Sequence, residues 1–236
     1  MNELARRFDD SEFVREYDIR EHKFMTMEAE KRERVIHVAL AEFSKGFAAA
    51  STDAIVKEAG ISKGLVFHYF GSKRGLFLFL LKYALDIVIA EYARVISEDH
   101  DFLENLRAVS QRARELTFQH PLVFRFLAKA QASIAEVFPN GLPGDLPSHM
   151  AMQQIRQKSN NDTSLFKHGI DSEKAHNIIL WTMIGLNESF LRYGDDIEAY
   201  KAHADEIAKE EEEYLQILRK ILYSSEKGND PIRHRQ

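Results

Sequence analysis

The run Thr52-Asp-Ala-Ile-Val-Lys-Glu-Ala-Gly-Ile-Ser-Lys-Gly-Leu-Val-Phe-His-Tyr-Phe-Gly-Ser-Lys73 constrains the chain most. It reads as two short helices broken at Gly60 and followed at once by a third. Thr52 is suited to cap the first helix, because its hydroxyl can accept an orphan amide of the first turn. Ile55, Val56 and Ala59 then recur at helical spacing as an apolar stripe. Gly60, just past the last of them, can take the left-handed conformation that ends a helix. Ser62 starts the next helix, so the turn between the two is only about three residues, as in a helix-turn-helix. At about 100° per residue, Val66 and Phe70 share one side of the second helix, while Lys63, Gly64, Phe67 and His68 share the other. The first side can be buried and the second offered to a groove.

The flanking sequence supports this unit. Residues 28–45 predict a helix in which Ile36, Leu40 and Phe43, continued by Phe47, form a stripe that packs on Ile55, Val66 and Phe70. Ser72 predicts the cap of a long helix reaching about Ser97, roughly 39 Å at 1.5 Å per residue. Lys73 and Arg74 stand in its first turn, and its far end belongs to a helical body. Further helices are predicted at about 102–119, 121–138, 149–158, 172–193 and 197–223, with a Pro- and Gly-rich loop over 139–147. The helix 172–193 carries Ile178, Ile179, Trp181, Met183, Ile184, Leu186 and Phe190, apolar almost all round. It is therefore expected to be buried on both sides, one against the body core and one against a partner subunit.

Charge is distributed unevenly along the 236 residues: the net charge is −5, yet residues 28–75 hold eight Lys/Arg against six Asp/Glu. The basic excess thus lies on the helix-turn-helix and would steer it toward phosphate. No cysteine is present, which excludes disulfides and thiolate metal sites. The absence of a recognisable signal peptide predicts a cytoplasmic protein. The apolar run 76–81 is interrupted by Lys82, Asp86 and Glu91, well short of the roughly 20 residues a membrane span needs. An enzyme would be the alternative reading, because Glu173 and His176 have the Glu-x-x-His spacing of carboxylate-bridged metal bundles. A second copy of that motif is missing, as are His-Glu-x-x-His, a phosphate-binding glycine loop and Gly-x-Ser-x-Gly. No catalytic residue, metal or cofactor is therefore predicted.

Gly46-Phe47, Thr52, Ile55, Ala59-Gly60-Ile61-Ser62, Gly64, Val66-Phe67, Tyr69-Phe70, Lys73 and Leu76 together resemble the N-terminal domain of the TetR family over about residues 31–81. The resemblance implies an all-α chain: an N-terminal extension (1–27), a three-helix helix-turn-helix head (28–75), a larger helical ligand-binding and dimerisation body (76–226) and a loose tail (227–236). It further implies a homodimeric repressor that binds a palindromic double-stranded operator and is released by a small, largely apolar ligand. The family's base-edge positions correspond to Lys63, Gly64, Leu65, Phe67 and His68. Its phosphate positions correspond to Thr52, Tyr69 and Lys73, with Ser62 at the start of the recognition helix. Leu65 and Phe67 depart from a frequent Thr and Tyr, so Phe67 can offer only apolar contact. Candidate pocket residues in the body are Phe118, Phe124, Met152, Trp181, Met183, Asn187 and Phe190, with the 139–147 loop at the mouth. The extension 1–27 either packs on the head or touches DNA through Arg15, Arg20 or Lys23, and Met25 and Met27 are possible alternative starts.

Overall fold

A computed structural model of the chain describes residues 24–137, 155–159, 163–190 and 197–224, the side chains of Ala135, of residues 187–190 and of Ile197 excepted. The regular elements among them are helices: α1 (Ala29–Phe43), α2 (Thr52–Ala59), α3 (Lys63–Phe70), α4 (Lys73–Val95), α5 (Phe102–Gln119), α6 (Pro121–Val137), α7 (Ser172–Phe190), α8 (Ile197–Ala202) and α9 (Ala204–Leu222). The chain divides into two compact units, one of residues 1–94 and 115–151, the other of residues 95–114 and 152–236.

In the first unit the stripe of α1 does what its spacing requires, and α1 packs on α2 and on α6. Ile36, Leu40 and Phe43 are buried together with Ile55, Val66 and Phe70, and Phe47 is packed against them. Phe77 lies at the centre, its ring 5.5 Å from Phe43, 5.5 Å from Phe126 and 5.2 Å from Phe47. A fully buried ring of this size contributes about 1.5–3 kcal/mol relative to exposure, so this aromatic centre is a main source of the unit's stability. The run 76–81 is buried at every position, enclosed by protein on all sides. No helix among the described residues is long and apolar enough to cross a membrane.

In the second unit, ion pairs join α5 and its leading turn to α9. Asp101 takes both its oxygens to Arg219 at 2.6 and 2.9 Å, Arg107 and Glu212 pair at 2.7 and 2.9 Å, and Arg114 pairs with Glu211. α7 packs along α9. The single helix predicted over 197–223 is instead two, α8 and α9, broken at His203 (φ −109, ψ 4). There the His203 N–H bonds Tyr200 O, three residues back, while its ring Nδ1 lies 2.8 Å from Ala199 O. The side chain thus occupies the carbonyl that the α-helical bond of its own amide would need. Of the helix predicted over 149–158, residues 155–158 are described and are helical.

Candidate nucleic-acid interface

The two-helix unit is set by three local devices. The first corrects the sequence reading: Ser51, not Thr52, is the N-cap of α2, its Oγ accepting the Ala54 N–H at 3.3 Å, and Thr52 is the first helical residue. The second is Gly60 (φ 67, ψ 37), whose left-handed backbone lets its own N–H and that of Ile61 both bond Val56 O and close the helix. The third is Ser62, whose Oγ accepts the Leu65 N–H at 3.2 Å and starts α3 as predicted. Beyond α3, Ser72 Oγ accepts the Gly75 N–H at 3.0 Å and opens α4. A Cβ at Gly75 would lie 1.9 Å from Phe70 O, so only glycine lets α4 start this close to the last carbonyl of α3.

α3 has the two faces its spacing implies. Val66 and Phe70 are 1% and 3% exposed, whereas Phe67 is 41% exposed and Lys63, Gly64 and His68 are exposed beside it. Leu65 and Tyr69 are half-buried. The Lys63 ammonium pairs with Asp53 of α2 at 2.6 Å, an exposed pair of the kind that contributes at most about 1 kcal/mol. The nearest atom to a Cβ placed on Gly64 is Ser62 Oγ at 4.0 Å, so nothing among the described residues requires glycine there. The His68 ring meets that of Tyr69 edge to face at 5.2 Å.

Lys73, expected to reach phosphate, is committed internally, and so is Arg32. Lys73 Nζ donates to Ala48 O at 3.3 Å and lies 4.8 Å from the centre of the Phe47 ring, which ties the α1–α2 loop to α4. Arg32 Nη1 donates to Met25 O at 2.9 Å and Met27 O at 3.2 Å. Glu42, which sequence reasoning passed over, joins α1 to α2: its Oε1 accepts the Ser51 N–H at 3.0 Å and its other oxygen pairs with Lys45. Burial pushes this carboxyl up, but the hydrogen bonds from Lys45 and the Ser51 amide, with the charges of Lys45 and Lys73, outweigh it and hold Glu42 below the usual range. Its signal in the sequence is an acid set inside the apolar stripe of α1. Arg15, Arg20 and Lys23 lie outside the described residues.

Residues 35–80, which span α2, α3 and the start of α4, match the family model of bacterial regulatory proteins, tetR family. Over these residues the chain is similar to the N-terminal domain of the TetR family. It is 29% identical over 119 residues to the HTH-type transcriptional regulator RutR of Escherichia coli O157:H7, a match covering 50% of this chain and 56% of that one. It is 24% identical over 105 residues to the nucleoid occlusion factor SlmA of Vibrio atlanticus, covering 44% and 54%. The chain thus spans about half the length of the curated relatives it matches. The fold extends further: a TetR-family transcriptional regulator from Chloroflexus aurantiacus aligns with a TM-score of 0.56 at 17% identity, over 86% of this chain and 98% of that one. The ketosteroid transcriptional regulator KstR2 of Mycobacterium tuberculosis aligns with a TM-score of 0.52 at 18% identity, over 85% and 98%.

Outside this head, the predicted pocket residues that are described fall in both units. Phe124 is half-buried against the core of the first unit, Met183 is fully buried in the second, and Phe118 is 37% exposed. Trp181, expected to line the pocket, is 67% exposed, because it shares with Ile178 the stripe of α7 opposite the buried Ile179, Met183 and Leu186. The expectation that α7 is buried on both sides therefore holds for one side of a single chain. Met152, the loop 139–147 and the side chains of Asn187 and Phe190 lie outside the described residues. Of the Glu173/His176 pair, Glu173 is exposed, while the His176 ring is enclosed by Phe102 and Phe166 at 4.7 and 5.3 Å.

Proposed function

We propose that this chain is a transcriptional regulator, not an enzyme, that binds double-stranded operator DNA as a homodimer and represses until a small, largely apolar ligand releases it. The observation that carries the DNA reading is the exposed face of α3. Lys63, Gly64, Phe67 and His68 are exposed on one side while Val66 and Phe70 anchor the helix behind them. A helix presented this way enters a major groove, where Lys63 and His68 can hydrogen-bond base edges and Phe67 can meet a thymine methyl. The bare backbone at Gly64, with no internal reason to be bare, permits close approach to the duplex. Leu65 borders this face, Ser62 sets its start, and Thr52, Tyr69 and Lys73 flank it as the phosphate contacts, Lys73 by exchanging its bond to Ala48 O for one to phosphate.

Dimerisation is supported by the outer stripe of the second unit. Ile178 and Trp181 on α7, and Tyr214, Ile217 and Ile221 on α9, are 40–67% exposed on two helices that pack together. Large apolar side chains clustered in this way mark an interaction surface. Two copies joined face to face would present two α3 helices to half-sites about one helical turn apart or a multiple of it, which accounts for a palindromic operator. Release by ligand follows from the family resemblance, and linkage makes it testable: operator must weaken ligand binding by the same factor as ligand weakens operator binding.

The deciding experiment is selection of random duplexes by the purified chain, followed by sedimentation and a screen for small molecules that dissociate the complex. A palindromic consensus bound by a dimer is the expected result. Selection that enriches no sequence over background would overturn the proposal.

A further inference from the structure

We infer that Phe24 is a positioning residue for DNA readout, a wedge that sets the tilt of the recognition helix α3 through the Tyr69 ring. The inference rests on the DNA-binding reading above. Phe24 is 1% exposed, although it precedes α1 and lies eleven positions before the first residue of the family match, Val35. Its ring stands 5.5 Å from Tyr69 at 73°, 4.9 Å from Phe70 at 57° and 5.0 Å from Phe79 at 77°. Phe70 and Phe79 are themselves 5.1 Å apart. Phe24 thus completes a cluster formed by the last turn of α3 and the second turn of α4.

An eight-residue helix cannot hold itself in place, since helices below about 12–15 residues are marginal in water without tertiary packing. The N-terminal end of α3 is fixed by the turn at Gly60 to Ser62. Its C-terminal end has two supports: the close approach at Gly75 sets its distance from α4, and the Phe24 ring sets the height of the Tyr69–Phe70 turn. Tyr69 then transmits that setting to its neighbour on the groove face, His68, whose ring it meets edge to face.

Phe24 is itself clamped. Its carbonyl accepts the Met27 N–H at 3.0 Å, and Arg32 Nη1 holds Met25 O and Met27 O. The turn that follows the ring is therefore tied to α1, and the wedge is held by hydrogen bonds as well as by packing.

The test compares the full chain with its Phe24→Ala and Phe24→Leu variants, each also in a His68→Ala background. The readout is the ratio of affinity for the selected operator to affinity for a scrambled duplex, taken below the melting transition of every variant. Phe24→Ala is expected to lower the ratio by about one base pair's worth of discrimination, roughly tenfold, while affinity for the scrambled duplex and its salt slope are unchanged. Phe24→Leu, which keeps apolar volume without the flat ring and serves if Phe24→Ala does not fold, should lower it by about threefold. In the His68→Ala background neither change should lower the ratio further, because the two residues act in one chain of contacts. A folded Phe24 variant that keeps the wild-type ratio overturns the inference, as does an effect that simply adds to that of His68→Ala. Failure of the wild type to select any operator is a different outcome, which removes the DNA reading and this inference together.

Discussion

Gly64→Ala separates the stability of the head from its use, because the structure predicts opposite signs for the two. Gly64 is the second residue of α3, is exposed, and has open space where a Cβ would go, with Ser62 Oγ the nearest atom at 4.0 Å. In the free protein, alanine removes the conformational freedom of a helical glycine and adds no clash, which stabilises by roughly 0.5–1 kcal/mol. Thermal melting should rise by about 1–4 °C for a chain of this size. In the proposed complex with DNA the new methyl would sit on the face turned to the groove, between Lys63 and Phe67, where backbone and duplex would approach. Displacing one such contact is worth about 1–3 kcal/mol, a loss of roughly 5- to 150-fold in operator affinity. Paired differential scanning calorimetry and fluorescence anisotropy on the same preparation read both quantities. A variant that melts higher and binds the operator as tightly as wild type would refute the close-approach argument; one that melts lower would refute the description of open space.

The cap assignment predicts that Ser51→Ala costs the head about 1 kcal/mol in chemical denaturation while Thr52→Ala costs much less, since only Ser51 Oγ accepts a helix amide. Ile217→Asp, on a side chain 52% exposed on the outer stripe, should weaken association by at least about 2 kcal/mol and leave the circular dichroism of the monomer intact. Sedimentation equilibrium decides this, and a variant that remains a dimer at wild-type concentrations would remove the stripe from the interface. The neighbouring Leu218, 6% exposed, faces inward, so Leu218→Asp should unfold the second unit instead. Burial first, then the charge of Arg156, holds the His176 imidazole below its ordinary value of 6.5, against a hydrogen bond to the Ser172 backbone that pulls the other way. A neutral ring is thus favoured in the folded state: its contribution is complete above pH 6.5 and is lost as pH falls from there through the lower folded value. His176→Phe should flatten that acid limb in melts taken as a function of pH, and an unchanged limb would assign it to other groups.

Much of the head was legible because its determinants are local. Gly60 ends a helix through its own φ, Ser62 caps through an amide three residues on, and Val66 and Phe70 are one turn apart. The same locality explains the one-residue error at α2. Ser51 and Thr52 are adjacent hydroxyls of equal capping capacity, and which of them stands outside the helix is decided by the Ser51 amide, held by the buried Glu42. The break at His203 was illegible for a related reason: a histidine inside a helical pattern carries no stop signal until its ring takes a particular carbonyl.

By itself, the sequence determined the helical class, most helix boundaries, the turn between α2 and α3, and which side of α3 is apolar. Periodicity and capping chemistry act over one or two turns and are written in neighbouring residues. Only the tertiary structure decided what each face meets. It buried Phe24 against α3 and α4, took Arg32 and Lys73 for internal hydrogen bonds, and left Trp181 on the outside of α7. It also chose the ion pairs of the second unit, whose partners stand 97, 105 and 118 residues apart. At such separations, pairing depends on how whole helices pack, and nothing in the spacing of either helix names its partner.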